Sequence, residues 1–139
     1  MLSSIIHNTD SFIASVPKLK RKKYGQFFTN MATANFMASL FCFDLTKPEL
    51  HLLDAGAGTG ILSAAVIDKL IQSGYTGRIY LTCYETDELV LPLLKSNLEL
   101  AKEECGINYE IIQDNYLTSQ LFEDNPLFSD NTKLYDLSL

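Results

Sequence analysis

The stretch Leu50–Gly60, which reads LHLLDAGAGTG, decides the fold of this 139-residue chain. An apolar run, Leu50 to Ala55, predicts a short buried strand, and a helical pattern begins at Ile61. Between them lies Gly56-Ala57-Gly58-Thr59-Gly60, here called the glycine loop. Glycines let the backbone approach a ligand closely, and the start of a helix favours negative charge. The spacing is neither that of a phosphate-binding GxxxxGK[ST] loop nor that of a dinucleotide-binding GxGxxG motif. A strand-to-helix turn without a ligand rarely needs three glycines, so the stretch predicts a ligand site.

Strand and helix patterns alternate on both sides of this stretch. Before it, we expect a helix within residues 3–16 that is interrupted or restarted at Asn8-Thr9-Asp10, and a helix capped by Thr29 that ends near Asp44. After it, we expect a helix Ile61–Gln72, a strand Arg78–Tyr84 and a helix Asp87–Cys105 stopped by Gly106. A strand Asn108–Gln113, a polar loop and a strand Leu134–Leu139 complete the chain. This order predicts an α/β fold, a partial doubly wound, Rossmann-like parallel sheet whose C-terminal strands are missing. We expect two parts, an N-terminal helical segment (1–48) and a partial cofactor-binding domain (49–139).

Acidic residues follow two of the predicted strands. Glu85 ends the second strand, where a carboxylate can accept hydrogen bonds from both ribose hydroxyls of an adenosine, although it would also suit the start of a helix. Asp114 ends the third strand and could accept a bond from an adenine amino group, or serve only as a turn residue. Open α/β sheets bind ligands at the carboxyl ends of their strands, which favours the ligand interpretation for both.

Composition narrows the class of protein. The net charge of −6 argues against this segment as the main DNA-binding surface, although five basic residues cluster between Lys18 and Lys23, either as a solvated loop or as a local phosphate contact. The three cysteines form no CxxC pair, so neither a zinc site nor a disulfide framework is predicted. No apolar run is long enough to span a bilayer and no signal peptide is evident, so we expect a cytoplasmic protein without membrane contact.

The motifs, taken in order, resemble a known family. Lys23-Tyr24-Gly25-Gln26-Phe27-Phe28-Thr29, then the Asp54–Gly60 motif, then an acidic strand end and an Asp strand end, are similar to the amino-methylating DNA methyltransferases of the gamma group. These are class I, S-adenosylmethionine-dependent, adenine-specific enzymes of bacterial restriction–modification systems. The resemblance covers roughly residues 18–139. The glycine motif is typical of class I methyltransferases in general, and the Tyr24–Thr29 segment narrows the resemblance to DNA adenine methylation.

The resemblance implies roles for individual residues. Thr29, with Tyr24 and Phe28 nearby, would contact the methionine end of S-adenosylmethionine, and Asn30 stands where the family usually has proline. The loop under the cofactor would consist of Asp54, Ala55, Gly56 and Gly58. Glu85 would hold the ribose and Thr86 would pack against adenine. Asp114 and Asn115 would face the adenine amino group and ring, at a position where the family commonly has an apolar or aromatic residue in place of Asn115.

The catalytic tetrapeptide of that family, Asn-Pro-Pro-Tyr or a close variant, does not occur in these 139 residues. Asn125-Pro126 does not match it, because Leu127 follows and no strand precedes. We therefore expect no catalytic residue in this chain, DNA contact through a missing C-terminal part, an inactive fragment, and self-association through the exposed sheet edge. Three alternatives remain open: a methyltransferase for RNA, protein or a small molecule; a non-catalytic, methyltransferase-like interaction module; and, against the spacing of the glycines, a nicotinamide-binding domain.

Overall fold

The computed structural model describes residues 1–17, 28–123 and 135–139 of the chain. Within these ranges lie the helices α1 (Leu2–Ser15), α2 (Met31–Leu40), α3 (Ile61–Gln72), α4 (Leu91–Cys105) and α5 (Tyr116–Glu123), and the strands β1 (Glu49–Asp54), β2 (Arg78–Tyr84), β3 (Asn108–Ile112) and β4 (Leu137–Ser138). Tyr24, the basic cluster, Asn125-Pro126 and the first residue of the predicted last strand, Leu134, lie outside the described residues.

The four described strands form one parallel sheet in the order β3-β2-β1-β4. Strand β1 pairs with β2 from Glu49 opposite Arg78 to Asp54 opposite Cys83. The chain moves outward from β1 to β3 and then returns to the other side of β1. Since the order reverses there, the carboxyl end of β1 is where a doubly wound sheet binds ligands. The α/β fold with a parallel, doubly wound sheet is confirmed.

Alternation along the strands separates two faces of the sheet. Ile79, Leu81 and Cys83 belong to one apolar core together with residues of α3 and α4, whereas Tyr80 and Thr82 point to the opposite face. Helices α1 and α2 add Leu2, Ile5, Ala34 and Ala38 to the same core. The division into two parts at residue 48 stays a prediction.

The interruption predicted within the first helix is wrong, because α1 runs without a break from Leu2 to Ser15. The polar residues in its middle are used in the interior instead of ending the helix. The hydroxyl of Thr9 donates to the carbonyl of Ile5 one turn earlier, at 2.8 Å, and the amide of Asn8 donates to Asn97 on α4, at 2.9 Å. Side-chain bonds of this kind satisfy polar groups that would otherwise favour a turn.

Helix α2 is shorter than predicted at both ends. Asn30, not Thr29, is the N-cap, since its side chain accepts a hydrogen bond from the N–H of Thr33 at 2.9 Å. The helix ends at Leu40 rather than near Asp44. The Lys69 ammonium group on α3 donates to the carbonyls of Ala38, Ser39 and Phe41 at 3.0 to 3.1 Å, so a cation from another element satisfies the end of this helix.

The second half of the chain follows the predicted order, but four bounds differ. Strand β3 ends at Ile112 rather than Gln113, and β4 is only Leu137–Ser138 rather than Leu134–Leu139. Helix α4 begins at Leu91 rather than Asp87, because the Asp87 carboxylate accepts the N–H of Leu89 and forms a local turn. Part of the predicted polar loop is helix α5, whose first turn is capped by Asn115: its side-chain oxygen accepts the N–H of Leu117 at 3.0 Å. The predicted bounds of α3 and β2 are confirmed.

Candidate cofactor-binding site

The glycine loop is fastened to the strand beside it. Its Ala57 N–H donates to the carbonyl of Tyr84 at the end of β2, at 2.9 Å, and Gly60 N–H donates back to Ala57 at 2.8 Å. Gly58 and Gly60 have φ values of 54° and 82°, a left-handed conformation that favours glycine. The loop therefore turns sharply at the carboxyl end of β1 and leads directly into α3.

Asp54 lies beneath the loop rather than facing solvent. It is only 4% exposed, and its carboxylate accepts hydrogen bonds from the hydroxyl of Ser63 on α3, at 2.5 Å, and from the N–H of Gly56. Burial raises the pKa of Asp54, an effect opposed by these two bonds and reinforced by the nearby negative charge of Glu85. Asp54 thus ties the end of β1 to both the loop and α3.

Glu85 links the ends of β1 and β2 through its side chain. One carboxylate oxygen accepts the N–H of Gly58 at 2.8 Å, and the other accepts the N–H groups of Thr86 and Asp87 at 2.7 and 2.8 Å. Its own N–H donates to the carbonyl of Ile112 at the end of β3. A half-buried carboxylate is thereby held against the glycine loop, at the position that the sequence predicts for the ribose contact.

The segment before α2 meets the glycine loop from the other side. Phe28 and Thr29 line a pocket of about 90 Å³ together with Asp54, Gly56 and Gly58. A Cβ added to Gly58 would lie 3.7 Å from the Phe28 ring, so the ring faces the loop at this glycine. Residues 25 to 30 positions apart in the sequence thus line one pocket, as the order of the motifs suggested.

The remaining predicted residues lie at the neighbouring strand ends, outside this pocket. Ala55 is half-buried between β1 and the loop, while Thr86, Asp114 and Asn115 are exposed. Asp114 accepts the N–H of Asn115 at 2.7 Å, and Asn115 caps α5, so both have local structural partners. Tyr24 lies outside the described residues.

Sequence reasoning missed the side chains that support the loop. No sequence pattern predicts the contact of Ser63 with Asp54, because serine is common in the first turn of a helix. Thr59 bonds to Thr9 and Asn97, which are remote in sequence and belong to helical patterns that predict surface or core only. Tyr116 on α5 packs edge-on against Tyr84, with ring centroids 5.1 Å apart.

A larger groove, of about 350 Å³, lies elsewhere. Its lining includes the stacked pair His51 and Tyr80, together with Thr82 and Tyr135, along the sheet face opposite the main core. None of the predicted site residues lines it. Because it is remote from the strand ends where doubly wound sheets bind ligands, the smaller pocket beside the glycine loop is the better candidate.

Two curated proteins resemble this chain in sequence. The Type II methyltransferase M.BsuBI of Bacillus subtilis is 37% identical over 118 residues, which cover 84% of this chain and 23% of that protein. The Type II methyltransferase M.PstI of Providencia stuartii is 34% identical over 106 residues, 73% of this chain and 20% of that protein. The chain therefore spans less than a quarter of the length of these relatives. No protein-family model matches it.

Among solved structures, one described as a class I S-adenosylmethionine-dependent methyltransferase of Listeria monocytogenes matches 78% of this chain and 44% of its own, with a TM-score of 0.41 and 13% identity. The fold assignment rests on the parallel sheet itself. Over most of its length the chain is a sequence relative of type II methyltransferases.

Proposed function

We propose that this chain is the S-adenosylmethionine-binding part of a DNA methyltransferase that modifies the exocyclic amino group of adenine. The observation that carries the proposal is the convergence of two remote groups on one glycine loop at the carboxyl end of β1: the Glu85 carboxylate accepts the Gly58 N–H, and the Phe28 ring lines the same pocket as Gly58. A ligand there would meet an acceptor for hydroxyl groups, an aromatic surface and a glycine backbone that it can approach closely.

The described residues fit the cofactor in chemistry. A carboxylate offers about four acceptor positions, and backbone N–H groups use three of those of Glu85. A ribose with two hydroxyl donors would take the position that no described residue uses and replace one backbone donor. The Gly58 N–H is the candidate for replacement because it belongs to the loop. Cofactor binding would then exchange an internal bond for a bond to the ligand.

The pocket beside Phe28 would take only one end of the cofactor. Its volume, about 90 Å³, is well below the roughly 300–1,000 Å³ typical of whole ligand pockets. We assign it to the methionine end, because Thr29 and Phe28 line it. The adenosine would extend over Glu85 toward the exposed side chains of Asp114 and Asn115, which would meet the adenine amino group and ring. When bound, the cofactor supplies the methyl group.

DNA contact and methyl transfer are assigned to the longer protein rather than to these 139 residues. The relatives are named as type II methyltransferases and are more than four times longer than the matched region. The catalytic tetrapeptide of the gamma group is absent from residues 1–139, so we expect this segment alone to bind cofactor without methylating DNA.

Among the described residues no helix is long and apolar enough to cross a membrane. The cytoplasmic location and self-association through the sheet edge at β4 stay predictions.

Titration calorimetry with S-adenosylmethionine and S-adenosylhomocysteine tests the cofactor assignment. We expect micromolar binding by the parent chain and a loss on the order of 10- to 100-fold in Glu85→Ala, since hydrogen bonds to a charged group contribute about 1.5–3 kcal/mol. Glu103→Ala is the matched control, because it removes the same side chain from the exposed surface of α4. Absence of binding by a chain with a cooperative unfolding transition would refute the proposal and favour the interaction-module alternative.

The adenine assignment needs the longer protein. Incubation of that protein with unmethylated duplex DNA and cofactor, followed by nucleoside mass spectrometry, should give N6-methyladenine. Methylated cytosine, or transfer only to RNA, protein or a small molecule, would contradict it. The 139-residue chain run in parallel should give no methylated base, and any transfer by it would contradict the expectation that the segment is inactive alone.

A further inference from the structure

Behind the glycine loop lies a chain of buried polar side chains that the proposed contacts with the cofactor do not use. Thr59 of the loop, Thr9 of α1 and Asn97 of α4 are each at most 1% exposed. Buried polar groups cost free energy unless they are hydrogen-bonded, so a partnered cluster of this kind specifies one arrangement of the elements that carry it.

The directions of the hydrogen bonds follow from the atoms involved. The Thr9 hydroxyl oxygen lies 2.8 Å from the Ile5 carbonyl and 3.0 Å from the Thr59 hydroxyl oxygen. A hydroxyl has one hydrogen and a carbonyl has none, so Thr9 donates to Ile5 and Thr59 donates to Thr9. Asn97 donates its amide N–H to the backbone carbonyl of Thr59 at 2.9 Å, and its oxygen accepts from Asn8 at 2.9 Å.

Thr59 is thus held at two points, its side chain by α1 and its carbonyl by α4. The preceding residue, Gly58, donates its N–H in the other direction, to Glu85. Neighbouring residues of the loop are therefore fixed from behind and from the ligand side. Helix α1 is anchored separately at its start, where Leu2 N–H donates to Asp68 on α3 at 3.0 Å. The helix does not depend on Thr9 alone for its attachment, so the bond between Thr9 and Thr59 holds the loop rather than the helix.

We propose that Thr9, Thr59 and Asn97 are positioning residues for cofactor binding: they hold the glycine loop from behind, so that its backbone stays in place when the ribose displaces the Gly58 N–H from Glu85. The proposal rests on the proposed function for its binding consequence, but its structural consequence can be measured without ligand. Removing the Thr59 hydroxyl leaves the buried oxygen of Thr9 without its donor, and the loop loses one of its two rear bonds.

The test compares Thr59→Val, which removes the hydroxyl while keeping the shape, with Thr59→Ser, which keeps the hydroxyl. Backbone amide exchange of Gly58 and Gly60 is followed by NMR, and S-adenosylmethionine affinity by calorimetry. We expect exchange of both amides to quicken about tenfold and affinity to fall about tenfold in Thr59→Val and Thr9→Val, with Thr59→Ser close to the parent. Thr82→Val, a buried threonine on the opposite sheet face, is the matched control and should change neither.

A purely structural role would lower the stability of the valine variants without a local change at Gly58 and Gly60, and that result would overturn the proposal. If Thr59→Val fails to fold, Asn8→Ala breaks only the outer bond to Asn97 and should give a smaller increase in exchange in the same two amides; unchanged exchange would again overturn it. A parent chain that does not bind cofactor refutes the proposed function, whereas the exchange data still decide the role of the three residues.

Discussion

Replacing Gly60 with alanine tests whether close packing against α4 requires a glycine at this position of the loop. Gly60 precedes α3 with φ at 82°, and an added Cβ would lie 3.2 Å from Cδ1 of Leu94 and 3.8 Å from Cδ2 of Leu98. The closer distance is shorter than an ordinary van der Waals contact, and Leu94 is fully buried on α4. Leu94 must therefore shift within a packed core to admit the methyl group.

The expected magnitude has two parts. A non-glycine residue in the left-handed region costs about 1–2 kcal/mol, and inserting a methyl group into a packed core costs about 1–3 kcal/mol more. Gly74 supplies the control, because its φ is 83° and nothing lies within 4 Å of an added Cβ. Gly74→Ala should show only the backbone part. Gly60→Ala should therefore be the less stable variant by about 1–3 kcal/mol.

Urea unfolding followed by circular dichroism measures this difference, with equal m values as the condition for comparing the two variants. Changes in the unfolded chain are similar for both glycine-to-alanine substitutions and largely cancel. If Gly60→Ala is within about 0.5 kcal/mol of Gly74→Ala, the surface-level effect expected where packing is not involved, then Leu94 yields without cost. Close packing of the loop on α4 would then not be the reason for the third glycine.

Three further outcomes are expected from groups outside the pocket. The exposed Cys42 should react with a thiol reagent at once, whereas Cys83 should react only on unfolding, because burial raises the pKa of its thiol well above the usual value. Fast labelling of both thiols in the folded chain would contradict this. Asn30→Ala should lower the free energy of unfolding by about 1 kcal/mol through loss of the α2 cap, and an unchanged thermal midpoint would argue against the cap. Hydrogen bonds from the Lys47 ammonium group and the His51 N–H hold the pKa of Asp136 below its ordinary value. The ionised carboxylate therefore stabilises the fold above about pH 4, the ordinary pKa of an aspartate. This contribution is lost as the pH falls through the folded-state pKa. Asp136→Asn should accordingly be slightly less stable than the parent at pH 7 and converge with it in acid, and a difference that persists below pH 3 would count against the ion pair.

Local sequence patterns determined the elements whose signals lie within a few residues. The side-chain pattern from Arg78 to Tyr84 predicted β2, and Gly106 ended α4 as predicted, with a positive φ. The alternation of strand and helix was enough for the parallel sheet, since crossover handedness leaves few topologies. The glycines likewise placed the sharp turn between β1 and α3, where Gly58 and Gly60 have positive φ values.

Patterns were wrong where a remote partner changed the local preference. Asn8 and Thr9 resemble a helix break, but partners on α4 and in the glycine loop let α1 continue. The end of α2 depends on Lys69, which is 28 residues from Phe41 in sequence. No local pattern contains such information, because the free energy comes from a contact that exists only after the elements have packed.

The candidate site shows the same division. The sequence by itself determined the residue types at three strand ends and, through resemblance, the order of the motifs. Only the tertiary structure decided that Phe28 lines the same pocket as Gly58, that Glu85 accepts the Gly58 N–H, and that Thr9 lies behind Thr59, 50 residues away in sequence. These pairings depend on which strand lies beside β1 and which helix covers it, and that choice is made by burial of the shared core rather than by any one segment.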